Sequence, residues 1–417
     1  MMADIHSSNG IPISLPPIGI YLVSSLVILL PFSRAATSIL TGLIVIYWIC
    51  YSISTHANVL SGQPKLFWSI VAYILFALLS LLWTQDLARG FNDLGIYAYW
   101  LLIPALAGLL KRNHVDKVFN AFLAGMAISQ LLFWGRHFGF ITLKHGTTPF
   151  MNHIEYGVFL VATSIVLIIK IMSPRYHKMT RVVLSMLLLT TVLALFTSTG
   201  LTGQVAFISV IPVAILIYSK ISSKPLAIVF TSLILLMVTF GTSLLLSPSF
   251  LQNVSEYNYA EEALAGKAAN SSIGIRTGMI IVGSEILMEH PLFGTGFGDN
   301  MHEYQRILHE QHPNFISTLD RYSNSHLHTQ YLETATKTGL TGLILFAFVF
   351  YYYFKLPISD RSVSALRTLF AISFLAAFIG EPLWQKQFSA ALFALFTGLF
   401  VAASDKSGSG NISIANN

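Results

Sequence analysis

Apolar runs of roughly 17 to 22 residues recur along this chain of 417 residues, each about long enough to cross some 30 Å of hydrocarbon as a helix. Twelve are read, near 17–31, 36–53, 66–83, 94–110, 118–134, 155–170, 182–197, 201–218, 225–246, 339–354, 364–380 and 387–403. The runs are continuous rather than alternating. That excludes a closed β-barrel and leaves helices, the other element that satisfies its own backbone in lipid. Only 10% of the residues are charged, against about 25% in a soluble domain. The expected fold class is therefore an all-α polytopic membrane protein with about 12 transmembrane helices. The first run lacks a basic leader and a small-residue cleavage site, so no cleavable signal peptide is expected.

Loop charge predicts orientation. One set of alternate loops carries thirteen Lys and Arg, among them Lys111, Arg112, Lys170, Arg175 and Arg361. The other set, the longest loop aside, carries five: Arg34, Arg89, Arg136, Lys144 and Lys386. The richer set is expected inside, which places both termini in the cytoplasm. The basic residues lie in short loops between spans, so the pI near 9.2 reflects membrane orientation and no nucleic acid is expected as a partner.

Polarity concentrates in one place. The chain divides into spans one to nine (1–246), a large helical periplasmic loop (247–338), spans ten to twelve (339–403) and a cytoplasmic tail (404–417). Ten of the eighteen acidic residues and six of the thirteen histidines fall between Leu246 and Thr338. Within it, SSIGIRTGMIIVGSEILMEHP (271–291) predicts a helix with a serine cap and a closing Pro291. A second helix is expected around His302 to His309, and Ser323 to Ser325 can cap a third beginning near His326. Between the first two, FGTGFGDN (293–300) has the glycines of a phosphate-binding fingerprint, but no strand precedes it. A tight turn redirecting the chain is expected instead.

The histidines invite a metal reading. On a helix, however, His326 and His328 would point about 200° apart and could share one ion only in an extended segment. No H-E-x-x-H or cysteine pair supports a metal, so none is expected. His328 stands out for its position just before the tenth span, at lipid head-group height. An imidazole, with an ordinary pKa near 6.5, can take a proton from a hydroxyl there.

The segment from His326 to Gly339 is similar to the H-x-H-N-x-Y-L-E-x-x-x-E-T-G-like segment of the O-antigen ligase family of bacterial membrane glycosyltransferases. Here it reads His326, Leu327, His328, Thr329, Gln330, Tyr331, Leu332, Glu333, then Lys337, Thr338 and Gly339. Thr329 stands at the usual asparagine and Lys337 at the usual acidic residue. HPLFGTGFGDN (290–300), Arg276 in the preceding helix and PFMNHIEYGVFL (149–160) also resemble family segments. One departure is clear. STGLTGQVAF (198–207) has Leu201 where the family carries an arginine that holds the donor's pyrophosphate. Either another cation supplies that charge, with Arg136, Lys144 and Arg321 on the expected side, or donor use is altered.

The resemblance implies transfer of a glycan from undecaprenyl pyrophosphate to a hydroxyl of lipid A-core, at the outer face of the bacterial inner membrane. It implies an inverting reaction without metal or cofactor. His328 is the expected general base and Arg276 the pyrophosphate ligand, with Arg321, His326 and Glu333 as further substrate-binding candidates. A repeat-unit polymerase or a protein O-oligosaccharyltransferase would share this fold and base. A transporter or flippase is the alternative of another class. Against it, only Arg367 and Glu155 are ionisable groups read within spans, and no internal repeat is evident.

Overall fold

The computed structural model describes residues 18–55, 63–142, 150–198, 200–219, 271–322 and 326–405, together with five isolated positions. Every regular element among them is helical, without a strand. The helices before the polar loop are α1 (Ile18–Leu29), α2 (Arg34–Thr55), α3 (Pro64–Leu79), α4 (Leu87–Gly95), α5 (Leu102–Leu109), α6 (Arg112–His137), α7 (His153–Met172), α8 (Lys178–Thr197) and α9 (Leu201–Ser219). After them come α10 (Ser272–Glu289), α11 (Asn300–Gln311), the single turn α12 (Ile316–Leu319), α13 (Gln330–Phe354), α14 (Arg361–Ala377) and α15 (Gln387–Ala403). Seven helices among the described residues are long and apolar enough to cross a membrane, and α1 and α15 are shorter apolar helices. The run at 225–246 lies outside the described residues.

Two expected spans differ in form. The run at 94–110 is not one helix: α4 and α5 flank a 3₁₀ stretch, Ile96–Leu101. Pro104 offers no N–H to the carbonyl of Trp100 and crowds it, which favours the tighter winding before it. The tenth span begins nine residues before its expected start and breaks at Gly339, whose φ of 64° and ψ of −165° leave the helix. There α13 is repaired by the glycine turn. Thr295 and Gly296 donate to the carbonyls of Thr336 and Lys337, at 2.8 and 3.1 Å, and Leu340 donates to the Pro291 carbonyl at 2.8 Å. Any Cβ on Gly339 would lie 2.3 Å from the Leu292 carbonyl carbon, and one on Gly294 would lie 2.5 Å from the Lys337 carbonyl carbon. The turn thus redirects the chain and also supplies partners to a broken helix, the condition for non-helical backbone at membrane depth.

α15 is apolar on all sides and buried along nearly its whole length, as befits a helix inside a bundle. α2 and α8 instead expose Ile39, Ile46, Ile53, Val183 and Met186, the surface expected to face lipid. Helix ends define two faces of the bundle. Lys170 near the end of α7 meets Asp116 near the start of α6, and Asp405 after α15 meets Arg112. The opposite face gathers the starts of α2, α7 and α15 and the end of α14. Above that face α10, α11 and α12 enclose a separate apolar core of Met279, Val282, Ile286, Tyr304, Ile307 and Phe315. Asp299 ties it down by accepting the backbone N–H groups of Gln85 and Asp86 at 2.6 and 2.8 Å.

Candidate active site

The helix expected to begin near His326 begins at Gln330 instead. Side-chain contacts hold two of the preceding residues open, and a third contact anchors the first turn of the helix. The Leu327 N–H donates to Glu333 at 2.9 Å, the Thr329 hydroxyl to the Phe378 carbonyl at 3.0 Å, and Tyr331 to the Leu375 carbonyl at 2.8 Å. His328 takes a left-handed φ of 48° as a result. A non-glycine residue there is strained and persists only where its surroundings over-determine it. Ser323 to Ser325, the expected cap, lie outside the described residues.

With the segment open, the two imidazoles converge. Their ring centroids are 5.2 Å apart, and both face Glu381, in the turn between α14 and α15. His328 Nδ1 is 3.2 Å from Glu381 Oε2, and His326 Nε2 is 3.3 Å from Oε1. The Lys386 ammonium lies 2.5 Å from the same Oε1. The Glu381 side chain is fully buried, while His328 and His326 keep 18% and 22% of theirs exposed. The site therefore has a sealed carboxylate beneath and an open imidazole edge above.

The turn carrying Glu381 is fixed by aromatic packing. Trp384 is enclosed by Trp100 at 4.6 Å and Phe346 at 4.8 Å between centroids, and its N–H donates to the Gln330 side chain at 2.9 Å. Burial pushes the Glu381 carboxyl up, but the His328 hydrogen bond and the Lys386 charge outweigh it and bring the pKa down to about 2. Burial of His326 pulls its pKa down to about 4, against the opposing pull of Glu333 and Glu381. An ionised carboxylate only accepts hydrogen bonds, so His328 presents a proton on Nδ1 to Glu381. In its neutral form, Nε2 then carries the lone pair.

The other expected residues separate. Arg276, on α10, donates from Nε to the Gly380 carbonyl at 3.4 Å, beside the Glu381 turn. Glu333 is buried one turn into α13, where it accepts from Leu327 and pairs with Lys337 at 2.8 Å. It shapes the histidine segment from beneath. Arg321 is exposed on a 3₁₀ turn and donates from Nε to the Thr318 carbonyl at 3.1 Å. Leu201 is the first residue of α9. Its neighbours abut the site: a Cβ on Gly200 would lie 2.7 Å from the His153 carbonyl oxygen, and one on Gly380 would lie 3.0 Å from the Thr202 hydroxyl. Arg136 lies in the last turn of α6, and Lys144 lies outside the described residues.

Glu381 and Lys386 escaped sequence reasoning. A local signal existed: GEPLWQKQ (380–387) sets a glutamate between glycine and proline at a span boundary on the face of His328. The expectation of no metal also needs revising in its geometry. The segment is extended, and His326, His328 and Glu381 offer ligand atoms within 4.8 Å of one another that could hold an ion. Lys386 already places a positive charge on that carboxylate.

Fold and site together define a multi-pass helical membrane protein whose polar centre lies where a folded loop meets the bundle. Residues 184–347 match the family model described as O-antigen ligase. The match spans α8 to α13, including Arg276, the glycine turn and the histidine segment, and makes this part of the chain similar to the O-antigen ligase family. No curated protein matches the chain.

Proposed function

We propose that the protein transfers a glycan from undecaprenyl pyrophosphate to an acceptor hydroxyl, of lipid A-core in the first instance, with His328 as general base. The observation that carries this reading is the contact of His328 Nδ1 with the Glu381 carboxylate at 3.2 Å, which puts the ring proton of the neutral imidazole on Nδ1 and its lone pair on Nε2. The acceptor O–H gives its proton to Nε2 while its oxygen bonds to the anomeric carbon. The bond from that carbon to the phosphate oxygen breaks, and undecaprenyl pyrophosphate departs with the electron pair. Attack opposite the leaving group inverts the anomeric centre. Glu381 orients the ring and stabilises the imidazolium that forms, the role of the buried acid in hydrolase triads.

Pyrophosphate is a good leaving group, so the departing charge chiefly needs cations. Arg276 and Lys386 flank the Gly380–Glu381 turn and meet that need where Leu201 cannot. The family resemblance implies the bacterial inner membrane, and the lysine and arginine distribution of the loops supports a periplasmic loop and cytoplasmic termini.

His328→Ala is expected to lower transfer by about 10²- to 10⁴-fold at unchanged protein level. Capped lipopolysaccharide at normal abundance in that strain would end the base assignment. The three converging ligands favour a second reading, a bound divalent ion. Activity lost to EDTA and restored by zinc would establish it, and activity indifferent to EDTA would exclude it. In a deletion strain, free core with accumulated lipid-linked polymer indicates a ligase, and core bearing one repeat unit indicates a polymerase.

A further inference from the structure

Beside the histidine cluster, on the same face, lies a cavity of about 500 Å³, within the range of small-ligand sites. Lys386 lines it and also touches Glu381, so the cavity adjoins the reacting groups. The remaining wall comes from helix starts, α4 and a turn far apart in sequence, including Arg34, Asn92, Glu155, Gln385 and Gln387.

Its groups are held in place. The Gln387 amide nitrogen, with two N–H groups to share, lies 2.6 Å from the Tyr99 hydroxyl, 2.9 Å from the Arg34 carbonyl and 3.0 Å from the Ser38 hydroxyl. Asn152 caps α7 by accepting the Glu155 N–H at 2.8 Å and donates to the Glu155 carboxylate at 2.9 Å. Arg34 reaches that carboxylate at 3.9 Å and leaves 63% of its side chain exposed as a donor. Among the described residues Gln385 Oε1 has no hydrogen-bond partner, and it is buried within the wall that Gln385 contributes. A buried unpaired acceptor is costly and calls for a donor.

A ligand that completes these walls must both donate and accept. Phosphate at neutral pH brings mainly acceptors and would set a second anion against Glu155. An acyl chain would desolvate the amides without pairing them. Adjacent sugar hydroxyls do both. We propose that this cavity binds a pyranose of the transferred or receiving glycan and sets which sugar is accepted. The inference rests on the transfer reading above. The sugar comes either from the lipid-linked donor or from the acceptor core.

The test measures binding to the full-length protein in nanodiscs. The probes are undecaprenyl-pyrophosphate-linked repeat unit, undecaprenyl pyrophosphate alone, core lipid A and lipid A without core. The native protein is expected to bind one sugar-bearing lipid more tightly than its sugar-free counterpart. Glu155→Gln and the surface variant Asn92→Ala are expected to weaken that binding about tenfold and leave the sugar-free lipids unaffected. The lipid that loses affinity identifies the source of the sugar. An unchanged sugar preference in Asn92→Ala and in folded Glu155→Gln overturns the proposal, as does an equal loss for the sugar-free lipids. His328→Ala is expected to retain all binding. A native protein with sugar-dependent binding and no transfer would refute the transfer reading while leaving the cavity assignment standing.

Discussion

Two clusters of buried charge flank the histidine segment, and they differ in one respect that decides their roles. In the first, Glu381 faces His326, His328 and Lys386, whose side chains keep 16 to 22% exposure. In the second, Lys337 pairs with Glu333 at 2.8 Å and Asp93 at 2.7 Å, with the ammonium 4.7 Å above the Phe297 ring. Lys337 and Glu333 are each 2% exposed. The Lys337–Glu333 pair is sealed, only Asp93 at its edge keeps 20% exposure, and the cluster joins α4 at Asp93 to α13. Similar groups thus do different work: the sealed set holds the backbone, and the open set has an edge that a substrate can reach. Glu333 belongs to the sealed set, and through the Leu327 N–H it props up the open one.

The sealed cluster is most vulnerable at Lys337. Lys337→Met leaves two carboxylates without their cation, and removing one partner of a buried pair typically costs about 3–5 kcal/mol. Thermal unfolding in nanodiscs should show that loss, while transfer per folded molecule stays near native. An unchanged melting temperature would mean that the cluster does not hold the fold.

Glu381→Gln keeps the shape but removes the charge shared by both histidines and Lys386. Transfer per folded molecule is expected to drop about ten- to hundredfold, with a smaller change in stability than Lys337→Met gives. Native transfer in this variant would detach the carboxylate from the base.

The smallest effect is one of pH. His326 has its pKa lowered from 6.5 to about 4 in the folded protein, so the unfolded chain binds its proton first as pH falls. Stability from this group is whole above pH 6.5 and is lost progressively down to about pH 4. The loss should be roughly 1–2 kcal/mol after screening at a partly exposed ring. His326→Gln should flatten that slope. An equal slope in both proteins would show that the ring is not held neutral.

Much of the site was legible in particular residues. The capped helix over 271–291 is α10, with Ser271 accepting the Gly274 N–H at 2.9 Å. FGTGFGDN is a turn, and the histidine segment leads into a membrane helix. These readings rest on local signals: periodicity, capping and glycine punctuation, each contained within a few residues. Arg276, His326 and His328 were named in advance, and the fold sets them around one turn. Glu381 was not named, although it lies 53 residues after His328 and in contact with it.

What the sequence determined by itself is the material: helices from long apolar runs, a membrane environment from scarce charge, and a polar loop late in the chain. Only the tertiary structure decided which polar groups meet. Hydrophobic length and spacing are properties of one segment. The closure of α14 and α15 against α13 is instead fixed by interlocking Trp100, Phe346 and Trp384, which come from distant parts of the chain. The same packing decided that the H-x-H segment is extended, because Glu333, Phe378 and Glu381 offer it better partners than a helix would.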